Sequence, residues 1–200
     1  LIKGCLCLPI KPFNSWVQIP VFKQYPVFKQ YRVARKQNKK ELNISANRLK
    51  PLVDALQQTG KAVCIDRASR LMRANHRDPS YSLHLRNAGL STSDALAIAQ
   101  ALVQLDSTPE LRLISFSLSY NTEIGSDGAI AVLQALPTHL VELGMVGADL
   151  DDASGDAIVE FLSRAQRLSM ICVEHNLFSL KTKDRIRAAG HALSNCAVIV

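Results

Sequence analysis

Two hundred residues, 48% of them hydrophobic, suffice for one domain with a sizeable core, and no apolar run reaches the ~18 residues that a membrane-spanning helix needs. The formal net charge of +7 arises from 24 Lys/Arg against 17 Asp/Glu, and it belongs to one end. Residues 1–40 carry nine Lys/Arg and no acidic residue, so the rest holds fifteen basic and seventeen acidic side chains and is not a nucleic-acid surface by bulk charge.

The chain starts at Leu1 and is read as a fragment or a processed product. "LIKGCLCLPI" is too short and too interrupted by proline for a signal peptide's apolar region. Synthesis in a cytosol is expected, with export as an effector left open. The duplication "PVFKQYPVFKQY" at 20–31 precedes "RVARKQNKK". Residues 1–40 are read as a weakly ordered or docked basic extension. The alternative is an arm that binds nucleic acid or an anionic surface, with aromatics available for stacking.

Residues 41–80 admit two readings, degenerate repeats or an N-terminal cap. "LNISANRL" at 42–49 and "VCIDRASRL" at 63–71 fit a strand-and-turn phrase, with Asn47 and Ala68 at the turn. "LKPLVDALQQTGK" has a helical pattern. "RANHRDPS" at 73–80 reads as a loop.

Beyond residue 80 four phrases repeat, "SLHLRNAGL", "SFSLSYNTEI", "ELGMVGADL" and "MICVEHNLF". Each alternates two apolar residues with polar or small ones: Leu83/Leu85, Phe116/Leu118, Leu143/Met145 and Ile171/Val173. Three positions later stands Ala88, Asn121, Ala148 or Asn176. The intervals are 33, 27 and 28 residues. Helical segments follow, "STSDALAIAQAL", "GSDGAIAVLQAL", "DDASGDAIVEFL" and "KTKDRIRAAGHAL", with Leu96, Ile130, Ile158 and Ile186 at one matching position. Asp94, Asp127, Asp151 and Asp152 stand near helix starts, where carboxylates cap and oppose the dipole. "NCAVIV" predicts a last strand at 197–200, whose open edge invites further repeats or self-association.

A strand and helix repeated at about 28 residues bury their apolar faces only by stacking. Strands spaced at about 4.8 Å against helices at 8–10 Å make such a stack curve, strands inside. The expected fold is α/β, a curved parallel sheet inside and helices outside. In it Asn121 turns the chain and bonds the backbone groups that the ending strand leaves unpaired.

"FSLSYNTEIGSDGAIAVLQAL" in particular resembles the leucine-rich repeat superfamily, and within it the ribonuclease-inhibitor-like class, over residues 81–200. The resemblance implies a solenoid and a noncatalytic module that binds another protein. Bacterial effectors called GALA proteins carry similar repeats, but no F-box segment stands in this sequence. Ala88 and Ala148 depart from the family's Asn or Cys and break its asparagine ladder at alternate turns.

Three rows are expected to cross the concave face. They are His84–Ser117–Gly144–Cys172, Arg86–Ser119–Val146–Glu174 and Asn87–Tyr120–Gly147–His175. Ser117 and Ser119 are expected to face out. The candidate partner-binding residues are His84, Arg86, Asn87, Ser117, Ser119, Tyr120, Val146, Glu174 and His175. Arg86 and Tyr120 are the anchors, because Arg and aromatic residues dominate interfaces.

Catalytic and metal readings fare worse. Cys172 and His175 lie three apart on one strand and so point to opposite faces unless the strand has ended. His84 and His175 stand three repeats apart, roughly 14 Å by strand spacing. Asp149, Asp151, Asp152 and Asp156 fit a cation less well than a solvated loop and helix start. His139 and His191 have no evident partner. The sequence predicts no enzyme, metal or cofactor.

Overall fold

A computed structural model describes residues 48–73, 80–106 and 111–200. The basic extension, the "LNISANRL" phrase up to Asn47 and most of the 73–80 loop lie outside the described residues.

Two helices open the described chain, α1 (Lys50–Gln58) and α2 (Ala62–Arg73). Strands and helices then alternate: β1 (Ser80–His84), α3 (Thr92–Asp106), β2 (Arg112–Ser117), α4 (Gly125–Ala135), β3 (Glu142–Gly144), α5 (Asp152–Arg164), β4 (Met170–Cys172), α6 (Leu180–His191) and β5 (Ala197–Ile199). The five strands form one parallel sheet in chain order. Parallel neighbours joined through helices, with one crossover hand, put those helices on one side, and α3, α4, α5 and α6 pack in sequence. Among the described residues no helix is long and apolar enough to cross a membrane.

The core follows from the alternation. Leu83, Leu85, Phe116, Leu118, Leu143, Met145, Ile171 and Val173 are all buried. Ile158, Phe161 and Leu162, with Ala165 at its C-terminal cap, form the buried stripe of α5. "VCIDRASRL", the phrase read above as a possible strand, is helical throughout. Cys64, Ala68 and Leu71 are its buried positions, and their i, i+4, i+7 spacing overrides the short β-branched run. The helix alignment also shifts. Ile158 and Ile186 are fully buried, whereas Leu96 is exposed and Ile130 only partly buried. Counted from the caps Ser91, Asp151 and Ser179, the fully buried counterpart of Ile158 and Ile186 is Ile98, so Leu96 stands two positions off the apolar stripe.

Helix ends are tied down by side chains. Ser91 and Asp94 cap α3 reciprocally, the Ser91 N–H donating to Asp94 Oδ2 at 3.0 Å and the Asp94 N–H to Ser91 Oγ at 3.3 Å. Asp151 caps α5 by accepting from the Ser154 N–H at 3.0 Å. That bond first, and the Ser126 hydroxyl second, hold the Asp151 carboxyl below the usual carboxylate range.

At the other end Arg164 closes α4 from α5. Its Nη1 donates to Leu136 O at 2.9 Å, and its Nη2 to Leu133 O at 2.6 Å and Gln134 O at 3.2 Å. The guanidinium also lies 5.1 Å from the Phe161 ring centre. Arg164→Ala should therefore cost about 2 kcal/mol, since it removes charged donors from a helix C-terminus. Arg164→Lys should recover less than half of that, because an ammonium cannot fork across three carbonyls. Urea unfolding midpoints measure both, and full recovery by Lys would reduce the fork to a point charge.

Candidate functional site

The sheet face turned away from the helices is where side chains are free to meet a ligand. Its registers are fixed by backbone pairing. His84, Ser117, Gly144, Cys172 and Ile199 lie side by side across the five strands. One row further, the N–H groups of Asn87, Tyr120 and Gly147 donate to the carbonyls of Ser119, Val146 and Glu174 at 2.7–3.0 Å. The ladder therefore continues past the formal strand ends, and the Arg86, Ser119, Val146, Glu174 row is real.

Every residue of the third row is left-handed. Asn87, Tyr120, Gly147 and His175 have φ of 49°, 61°, 55° and 57°. That conformation costs an L-residue about 1–2 kcal/mol, and an aromatic residue seldom adopts it. At Tyr120 it brings the ring against Gly147. A Cβ there would stand 3.2 Å from the ring's Cδ1 and Cε1. Arg86 covers Tyr120 with its guanidinium carbon 4.2 Å from the ring centre, a cation–π contact. The result is a three-layer stack, Arg86, Tyr120 and Gly147, across successive turns. The missing side chain at Gly147 opposite Tyr120 was the sequence signal for it.

The rest of the expected site divides. Arg86, Asn87, Tyr120 and His175 are exposed, and His84, Ser117 and Glu174 are half-buried. Ser119 and Val146 are buried, contrary to the expectation that they face a partner. Both are short side chains in a row between the longer Arg86 and Glu174. Ser119 Oγ also accepts from the Val146 N–H at 3.1 Å.

One row in the other direction the structure adds residues that sequence reasoning missed. His84 Nε2 lies 2.8 Å from Ser115 Oγ, and Ser115 Oγ donates to Glu142 Oε2 at 2.8 Å. A carboxylate only accepts, so the single Ser115 hydrogen goes to Glu142 and His84 must donate from Nε2. In this arrangement the buried hydroxyl bridges the imidazole and the carboxylate. Stepping two residues back from each phrase's exposed position was the signal that would have found Ser115 and Glu142.

Cys172 lies half-buried on the same face. Burial first, and Glu174 second, push its thiol up from the ordinary range. The thiol points to Glu174 Oε1 at 4.0 Å, and His175 Nε2 lies 3.9 Å from Glu174 Oε2. The four aspartates do not converge. Asp151 caps α5, Asp152 accepts from the Ser179 N–H at 2.8 Å, and Asp156 pairs with Arg185. Among the described residues no group of three potential metal ligands comes together. His139 Nε2 is buried without a hydrogen bond, beside a void of about 10 Å³ lined by Leu102, Leu105 and Leu113.

Between the Arg86 stack and Glu142 the face is hollowed. Gly144 lacks a side chain, and a groove of about 280 Å³ opens over it, walled by His84, Ser117, Met170 and Cys172. No family model matches this chain, and no curated protein matches it.

Proposed function

We propose that this protein is a noncatalytic leucine-rich repeat module, of the ribonuclease-inhibitor-like kind, that binds another protein through the open face of its sheet. The repeats make a solenoid whose closer strand spacing curves that face inward. The observation that carries the reading is the Arg86–Tyr120–Gly147 stack. Backbone strain at Tyr120 is tolerated to present an aromatic ring, 40% exposed, under an arginine. Rigid aromatic and Arg side chains anchor interfaces at low entropic cost.

The double variant Arg86→Ala/Tyr120→Ala tests it. Capture from extracts of the source cell should lose the partner protein. Two anchors at about 2 kcal/mol each correspond to a several-hundredfold weaker Kd. Stability should fall by about 1 kcal/mol or less, as for exposed side chains outside the core. Retained capture would move the interface elsewhere.

A second reading rests on the charge of residues 1–40, nine Lys/Arg with no acid. Such an extension binds nucleic acid or an anionic surface, and the repeats then serve as its scaffold. Its binding falls steeply with salt and disappears on deletion of residues 1–40, whereas a partner held by the sheet face survives both. Pairing of a second copy along the β5 edge would show as concentration-dependent association.

A further inference from the structure

Building on the sheet face as docking surface, we propose that the groove over Gly144 receives a basic side chain, lysine or arginine, presented by the partner protein, with its charge against Glu142. The groove, at about 280 Å³, is below the usual size of a cofactor or drug-sized pocket and suits one long side chain. Its floor is strand backbone at Phe116, Leu143 and Gly144, whose larger side chains point to the core, and Met170, 38% exposed, supplies an apolar wall. Such a surface covers the methylene stem of a lysine or arginine while the charged head reaches a polar end.

That polar end is Glu142. One of its oxygens, Oε2, takes the Ser115 hydroxyl, and His84 holds that hydroxyl from the other side. The carboxylate is thereby oriented before any ligand arrives. Among the described residues its other oxygen, Oε1, has no hydrogen bond and no cation pairs with it. Arg86 lines the groove as well, but its guanidinium lies over the Tyr120 ring and makes no ion pair with Glu142 among the described residues. A partner that covered Glu142 with an apolar group would strand a charge, and an anion would be repelled. A cationic head completes the site with a charge-assisted hydrogen bond.

The test titrates the full chain with N-acetylarginine methylamide and follows backbone amide NMR shifts. N-acetylcitrulline methylamide, of the same shape and without charge, is the reference. Expected are saturable shifts centred on Ser117, Gly144 and Met170. Binding should be about fivefold weaker for the citrulline probe, and for Glu142→Gln, which still accepts the Ser115 hydroxyl. Gly144→Ala, whose methyl would sit 3.1 Å from Ser117 Oγ, should remove binding without changing the charge. Equal binding of the two probes, shifts centred on Asp149 or Asp156, or no saturable shift would overturn the proposal. If the probe ignores Gly144 while Arg86→Ala/Tyr120→Ala still loses the protein partner, the docking face stands and only the groove's role falls.

Discussion

Asn121→Ala is expected to lower stability by about 3 kcal/mol, the upper part of the range for orphaned buried polar groups. Asn121 is 2% exposed and makes bonds that no other side chain duplicates. Its Oδ1 accepts from the N–H groups of Ala88 at 2.9 Å and Leu90 at 3.2 Å. Its Nδ2 donates to Leu85 O and Leu118 O, each at 2.8 Å. Three of these four groups belong to the preceding turn. Alanine leaves all four unpaired in a region lined by Leu85, Leu90 and Leu118, where water has little room. For a chain of this size the melting temperature should fall by about 6–12 °C. Asn176 makes the equivalent bonds to Ala148, Leu150, Met145 and Val173, but is only half-buried. Asn176→Ala should therefore cost less, since solvent can reach some of the freed groups. An unchanged midpoint in Asn121→Ala would reduce it to a surface turn residue.

The same bonds explain the alternation of Ala and Asn. The sequence reads Ala88 and Ala148 as breaks in a ladder, because alanine cannot make asparagine's bonds. In the structure each Asn reaches back and satisfies the Ala turn before it, so one amide serves two turns. A one-chain pattern shows which residues lack polar atoms, but not which neighbour compensates. Other features divide along that line. The apolar alternation at Leu83/Leu85 and its three counterparts was legible because a period of two needs only local sequence. The left-handed turn was not, because Asn, Tyr, Gly and His share no side-chain chemistry and only their backbone φ unites them. Ser115 and Glu142 were missed because their roles exist only across strands. Arg164 was missed because its acceptors are backbone carbonyls about thirty residues away, which no side-chain motif announces. Leu96 was misplaced because the helices were matched by their letters and not from their caps, which put it two positions short of Ile98 and about 200° away around a helix of 3.6 residues per turn.

Where α5 meets α6, the sequence carries a test of that packing. Gly155→Ala should destabilise the fold by about 1–3 kcal/mol, the usual cost of overpacking a core contact. Alanine gains up to about 1 kcal/mol over glycine inside a helix, so the sign depends on the clash. A Cβ at Gly155 would lie 2.2 Å from Thr182 Cγ2 and 3.4 Å from Phe178 Cδ1. Thr182 cannot swing aside freely. It is 4% exposed, its N–H donates to Ser179 Oγ at 3.2 Å, and its Oγ1 accepts from that hydroxyl at 3.3 Å. Rotating χ1 would take Oγ1 away from the Ser179 hydroxyl at the N-terminus of α6 to relieve α5. Thr182→Ser deletes the offending methyl and keeps the hydroxyl, and alone it should cost about 1 kcal/mol for the lost buried methyl. Combined, the two changes move one methyl group from α6 to α5 at almost the same point in space, which conserves volume. The double variant should therefore be close to the parent, with a favourable coupling of about 2–4 kcal/mol in a denaturation cycle. Simple additivity of the two losses would mean that the helices part on mutation instead of interlocking. The close approach of α5 and α6 would then be a consequence of the sheet's strand spacing and not of the glycine.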